Sequence, residues 1–335
     1  MSSATELLLD VRDLSVVFDT DDGVLTAVDG VSFGIRPGEV VGLVGESGCG
    51  KSVTSMCIPR LIPSPPGRIA GGEIHFQGHN LLDLPIAEMR RLRGTEIGVV
   101  FQEPMTALSP LHRVGRQLVE AIQLHEAVPR REAWERSMEW LGKVGIPDPA
   151  QRMMDYPFEL SGGMRQRVMI AMALILNPKL VIADEPTTAL DVTIQAQILA
   201  LMRQLQTEFD MAILLITHDL GVVAQMADDV AVMYMGRIVE FGTVKKIFAD
   251  PQHPYTIALM RSLPGLGVER KSRLQVIEGS VPDPFQRLEG CPFHPRCTEA
   301  EAGRCDRGGR PPLIEIEEGH HSACLKRHPE EATGA

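Results

Sequence analysis

The stretch Gly45-Glu46-Ser47-Gly48-Cys49-Gly50-Lys51-Ser52 constrains this chain more than any other. It follows an apolar run, Val40–Val44, and leads into a helical pattern that begins at Lys51. Strand, glycine-rich turn and helix in that order make the loop G-x-x-x-x-G-K-[ST], whose backbone N–H groups turn inward around phosphate oxygens. The positive end of the helix dipole adds to the attraction. Lys51 is then expected to reach the β- and γ-phosphates, and the Ser52 hydroxyl to bind Mg²⁺. A glycine turn with only a structural role has no need of Lys-Ser behind it.

A second apolar run, Leu180-Val181-Ile182-Ala183, ends in Asp184-Glu185. At the C-terminal edge of a parallel sheet such a strand delivers a carboxylate beside the phosphate loop. Asp184 is the expected Mg²⁺ ligand, directly or through water, and Glu185 is placed to polarise an attacking water. Without the loop upstream, the two acids would read as a solvated strand end.

Strand-like stretches at Leu7–Val11, Leu14–Phe18, Val31–Ile35, Glu73–Phe76, Ile97–Phe101, Ala212–Ile216 and Asp229–Tyr234 surround these motifs. Helical patterns at Val192–Glu208 and Leu220–Met226 alternate with the later ones. The alternation predicts an α/β fold with a mostly parallel sheet covered on both faces. From about Val114 to Leu176 the periodicity is helical, broken at Pro147–Pro149, which predicts an inserted helical subdomain. After about Asp250 prolines punctuate the chain, among them Pro251, Pro254, Pro264, Pro282 and Pro284. That region is expected to be a small separate module with few regular elements.

A chain of 335 residues has room for a large domain and such an appendage. Its net charge is −11, the wrong sign for a broad nucleic-acid groove. The basic clusters at Arg90, Arg91, Arg93 and at Arg130, Arg131 sit in mixed sequence and read as solvated helix faces. The longest apolar run, Val168–Leu176, has nine residues, whereas a membrane-spanning helix needs about 20. The opening MSSATELLLDVRD has no basic segment followed by an apolar one, so no secretory signal is expected.

Further motifs fall in order along the chain. Gln102 follows the strand Ile97–Phe101. Leu160-Ser161-Gly162-Gly163-Met164-Arg165-Gln166-Arg167 opens a helix, Ala189-Leu190-Asp191 comes just after Glu185, and His218 follows the strand Ala212–Ile216. Ser-Gly-Gly at a helix start is a second anion site of hydroxyl, bare N–H groups and dipole, with Ser161 also an N-cap. The ordered set resembles ABC-type ATPases. The resemblance implies a P-loop ABC ATPase domain over residues 6–250, with a mostly parallel core sheet, an antiparallel β subdomain and a helical subdomain at about 103–176. An irregular Cys-bearing extension would occupy 251–335.

In that family two such domains pack head to tail with ATP between the phosphate loop of one and the signature of the other. Ser161, Gly162 and Gly163 would touch the γ-phosphate bound by the partner's loop. Gln102 would sense Mg²⁺ and the attacking water and couple to a membrane subunit. His218 would contact the γ-phosphate and orient Glu185. Asp191 would line the dimer contact, and Phe18 would stack on adenine. Met164 replaces the Gln common in the signature, and Cys49 occupies a variable loop position; neither removes a needed group.

The strings Phe101-Gln102-Glu103-Pro104-Met105-Thr106-Ala107-Leu108-Ser109-Pro110 and Asp184-Glu185-Pro186-Thr187-Thr188-Ala189-Leu190-Asp191-Val192-Thr193 are similar to those of oligopeptide and dipeptide importer ATPases. So are His253-Pro254-Tyr255-Thr256 and Gly290-Cys291-Pro292-Phe293-His294-Pro295-Arg296-Cys297. Nickel importers share much of this pattern. The resemblance implies a peripheral ATPase at the cytoplasmic face of the membrane. Its partners would be a second, related ATPase, two permease subunits and an extracytoplasmic solute-binding protein. Glu103, Met105 and Leu108 would line a groove for a short permease helix. A soluble ABC ATPase acting on ribosomes or DNA is the rival. The ribosomal type carries two cassettes, against one phosphate loop here. The chromosome type needs long heptad arms, yet only about 110 residues without heptads separate Lys51 from Ser161.

Cys291, Cys297, Cys305 and Cys324 are spaced C-x5-C-x7-C-x18-C. Without a signal peptide, clustered thiols point to metal or redox chemistry. Zinc ribbons favour C-x2–4-C pairs, and none occurs here. Four soft thiolates on a Pro-rich loop suit an iron–sulfur cluster, with zinc or four free thiols the alternatives. Similar tails of peptide-importer ATPases are associated with a [4Fe–4S] cluster, which strengthens that choice. His294, His320 and His321 read as surface or supporting residues.

Overall fold

A computed structural model describes residues 7–188, 190–262, 277–286 and 288–328. Ala189 and parts of the C-terminal extension lie outside the described residues. The chain divides into two compact units, one of Met1–Leu8, Ile35–Glu39 and Asp83–Ile216, the other of Leu9–Gly34, Val40–Leu82 and Thr217–Ala335. Twelve strands occur among the described residues: β1 (Leu9–Thr20), β2 (Gly23–Ile35), β3 (Val40–Val44), β4 (Gly67–Phe76), β5 (His79–Asn80), β6 (Ile97–Val100), β7 (Leu180–Asp184), β8 (Ala212–Thr217), β9 (Asp229–Tyr234), β10 (Arg237–Thr243), β11 (Ile314–Glu317) and β12 (His320–Ser322).

In the unit that carries residues 83–216, β6, β7 and β8 run parallel, with Ile97 beside Leu180 and Leu180 beside Ala212. Every residue of β7 is buried, as a strand covered on both faces requires. The helical insertion is Val114–Gln123, Arg130–Lys143 and Gly162–Leu174, with short pieces at Pro149–Arg152 and Pro157–Glu159. The break expected at Pro147–Pro149 is real, and Gly145 (φ +74°) and Asp148 (φ +51°) turn the chain there. No helix among the described residues is long and apolar enough to cross a membrane.

In the other unit, β2-β1-β4-β5 form an antiparallel sheet. The two strands expected at Leu7–Val11 and Leu14–Phe18 are one strand, β1. Its pairing with β4 shifts register between Arg12 and Ser15, and Asp13 takes φ +46°. The polar Arg12-Asp13 pair therefore marks a β-bulge rather than a turn. A second sheet places β3 parallel to β9, β9 antiparallel to β10, and β12 between β10 and β11. All of β3 is buried. The helix Leu220–Met226 lies so close that a Cβ on Gly42 would stand 3.1 Å from Val223 Cγ1. Val44, Val232, Tyr234, Tyr255 and Phe293 share one core here, each buried aliphatic or aromatic side chain contributing about 1.5–3 kcal/mol.

The C-terminal residues are more regular than their prolines suggest, because β11 and β12 extend this sheet through β10. Glu240 ties them in. It is fully buried, accepts the N–H groups of Gln252 and His253, and meets His320 Nε2 at 2.8 Å. A buried carboxylate needs such partners. His320, expected at the surface or in support, is 1% exposed and is a structural partner of Glu240.

Candidate functional site

The phosphate loop turns at three glycines with positive φ: Gly45 (+152°), Gly48 (+79°) and Gly50 (+103°). At two of them a side chain has no room. A Cβ on Gly45 would lie 2.1 Å from the Met233 carbonyl oxygen, and one on Gly50 2.4 Å from that of Ala27. Lys51 opens the helix Lys51–Cys57, and its ammonium donates to the carbonyls of Gly45 and Glu46 at 2.8 and 3.0 Å. Ser52 follows on the exposed side of the same turn. The Cys49 thiol is buried, and that burial pushes its pKa up. Such a backbone cradle with a lysine folded into it fits a nucleotide phosphate chain. Ser47 and Cys49 also line a cavity of about 460 Å³ with Val24, Ala27 and Phe285. Phe18 is half-buried, its ring edge 2.8 Å from where a Cβ on Gly67 would stand. His218 is exposed at the end of β8.

In the other unit the carboxylate motif is built at the end of β7. Asp184 is buried and Glu185 takes the left-handed φ of +44°, which turns its side chain out of the strand. Glu185 Oε2 accepts from Gln102 Nε2 at 3.1 Å and from Thr188 Oγ1 at 2.8 Å. The structure thus brings together Gln102 and Glu185, residues 83 apart in sequence. Thr188 is a partner the sequence reading missed. Ser161 caps the helix Gly162–Leu174 by accepting from Met164 N–H at 3.3 Å, and it is exposed with Gly162. A Cβ on Gly163 would stand 2.9 Å from Ile194 Cγ2, in the helix that Asp191 caps through Ile194 N–H. The signature and Asp191 therefore share one local surface.

Glu103 and Met105 are exposed beyond Gln102. Leu108, expected to line a docking groove with them, is 1% exposed. It follows the short helix Pro104–Ala107 in extended backbone and packs inward.

Cys291, Cys297, Cys305 and Cys324 all face one small cavity, with His253, Phe293 and His294. Burial pushes the Cys291 thiol up to about 11 and raises those of Cys297 and Cys324. It lowers His253 to about 4. The cavity volume of about 20 Å³ is room for about one water, so the turn must widen around anything larger. Among the described residues no group of three or more His, Cys, Asp or Glu is arranged to hold a metal ion.

Residues 28–188 match the family model described as ABC transporter, and residues 239–305 match that of the oligopeptide/dipeptide transporter C-terminal region. A probable peptide ABC transporter ATP-binding protein of Sinorhizobium fredii is 54% identical over 96% of this chain and 95% of its own length. The oligopeptide transport ATP-binding protein OppD is 50% identical in Bacillus subtilis, covering 96% of this chain and 90% of that one. Its counterpart in Escherichia coli is 49% identical over 96% and 94%. Among solved structures, a dimeric ATP-binding cassette in a post-hydrolysis state bound to ADP and Pi superposes with TM-score 0.63 at 27% identity, over 70% of this chain and 98% of that one.

Proposed function

The chain belongs to the ABC transporter family, in its oligopeptide and dipeptide branch, and from that premise we propose how its residues power a peptide importer. It is an ATP-hydrolysing subunit of such an importer. The observation that carries this reading is the loop of residues 45–52, whose Gly45 and Gly50 leave no room for side chains and whose lysine folds into the cradle. In our reading the loop holds the phosphates, Ser52, Gln102 and Asp184 hold Mg²⁺, and Glu185 takes a proton from the attacking water. Gln102 and Thr188 hold the Glu185 carboxylate in place, and His218 contacts the γ-phosphate. Ser161, Gly162 and Gly163 reach the nucleotide of a second ATPase, and Asp191 lies at that contact. The exposure of Ser161 and Gly162 supports this. Phe18 is assigned to the adenine.

The functional division we propose is an ATPase part, 6–250, and an extension, 251–335. The subunit works at the cytoplasmic face of the cell membrane with a related second ATPase, two permease subunits and, through them, a solute-binding protein. A pull-down from solubilised membranes should recover the permeases and the second ATPase by mass spectrometry. Recovery of ribosomes or DNA in their place would overturn the reading. Nickel as cargo is the second reading, and transport assays with peptide against nickel separate the two.

The segment after Gln102 couples hydrolysis to the permease, with exposed Glu103 and Met105 as its contacts. Glu103→Arg should reduce solute-stimulated ATPase in the assembled transporter by at least about fivefold, since a charge reversal at an interface costs one or more kcal/mol. Nucleotide affinity should hold; unchanged stimulation counts against the assignment.

The four cysteines of the extension hold a [4Fe–4S] cluster in this reading. Zinc requires four sulfurs each about 2.3 Å from one point, whereas a cubane takes one thiolate on each of four irons and spreads them wider. The convergence of all four on one cavity supports a shared centre. Thiols raised by burial must release their protons to water when they bind a metal, so loading should weaken as pH falls. Anaerobically purified protein should be brown, with about four irons per chain. Colourless protein with one zinc would keep the ligands and replace the cluster.

A further inference from the structure

Glu46 places a carboxylate in a loop that cradles anions. The structure shows how it is tolerated. Arg296 grips it with both guanidinium nitrogens, Nη1 to Oε2 at 2.7 Å and Nη2 to Oε1 at 3.0 Å. The Arg296 side chain is only 4% exposed. It also donates from Nε to the Glu278 carbonyl at 3.2 Å and lies 5.9 Å from the centre of the Tyr234 ring. The backbone of Glu46 is held as well, its N–H donating to the Tyr255 hydroxyl at 2.9 Å.

Both partners come from more than 200 residues downstream. Arg296 directly precedes Cys297, inside a tight turn closed by His294 N–H to the Cys291 carbonyl and Cys291 N–H to the Cys305 carbonyl. Gly290 at its start, with φ +67°, has the Cys305 carbonyl oxygen 2.3 Å from where a Cβ would stand. Phe293 of the turn stacks edge-on against Tyr234 and Tyr255. The cysteine turn is thus joined to the phosphate loop directly by a bidentate ion pair, and indirectly through Phe293 against Tyr255, whose hydroxyl accepts from Glu46 N–H.

We propose that Arg296 is a charge-masking residue of the ATP site: it neutralises Glu46, so that the cysteine turn sets the affinity of the loop for ATP. This rests on the loop being the ATP site. An unmasked carboxylate beside a polyanionic phosphate chain repels it, most strongly where water is scarce. Bidentate guanidinium pairing removes that charge and holds the side chain in one orientation.

The sign of the effect separates masking from simple scaffolding. Equilibrium binding of a fluorescent ATP analogue to the full chain should show Arg296→Gln weakened about tenfold, as one unscreened nearby charge would give. Adding Glu46→Gln to that variant should restore binding to within about threefold of the parent, because the repelling charge is gone. Glu46→Gln alone should bind at least as tightly as the parent, and it carries the test if Arg296→Gln fails to fold. Lys51→Ala serves as the reference for a lost phosphate site. Parent-like binding by Arg296→Gln while Lys51→Ala has lost it overturns the proposal. So does a double variant as weak as Arg296→Gln, or Glu46→Gln weaker than the parent. Full binding by Lys51→Ala would instead overturn the ATP site itself.

Discussion

Glu185→Gln should retain ATP binding and lose steady-state turnover by about a hundredfold or more, the range for removal of a general base. The amide has the shape of the carboxylate and can still accept from Gln102 or Thr188 through its one oxygen. The left-handed turn at Glu185, φ +44°, is set by backbone and survives. Neither Lys51 nor Ser52 is touched. What is lost is the oxygen able to take a proton from water. With chemistry blocked and binding kept, the ATP-bound pair of subunits should accumulate as a closed dimer on gel filtration. Phosphate release by the assembled transporter at near the parent rate would remove Glu185 from the role of base, leaving it as an anchor for Gln102.

Why these groups could be named from the sequence at all follows from their physics. A phosphate cradle needs glycines where a Cβ collides with a neighbouring strand or carbonyl. Gly45 and Gly50 are such positions, so the motif is local and legible. β3, and β7 up to Asp184, are apolar because both faces are covered, and they too were legible. Long-range side-chain chemistry was not. Arg296 and Tyr255 sit in strings that could be quoted, His-Pro-Tyr-Thr and His-Pro-Arg-Cys, but nothing in either string points back to Glu46. The same holds for β10 and β12, whose pairing depends on a buried Glu240 that reads in sequence as an ordinary surface acid. Leu108 shows the opposite error. The resemblance to related importers placed it in a docking groove, and it is buried instead.

Gly50→Ala and Gly48→Ala should differ sharply in stability although both glycines share one loop. Each takes positive φ, +103° and +79°, which costs a residue with a Cβ about 1–2 kcal/mol. At Gly48 nothing lies within 4 Å of the added carbon, so that is the whole effect. At Gly50 the carbon would stand 2.4 Å from the Ala27 carbonyl oxygen and 2.9 Å from Met233 Cε. The Met233 side chain can swing aside, but the carbonyl belongs to β2 and cannot move without breaking the strand. Overpacking of this kind adds about 1–3 kcal/mol, for a total of about 2–5 kcal/mol. The urea midpoint of Gly50→Ala should therefore fall well below that of Gly48→Ala, and ATP binding should be lost with it, since relief of the clash displaces the turn that carries Lys51. Equal midpoints for the two variants would mean that the approach of β2 is not what fixes the loop.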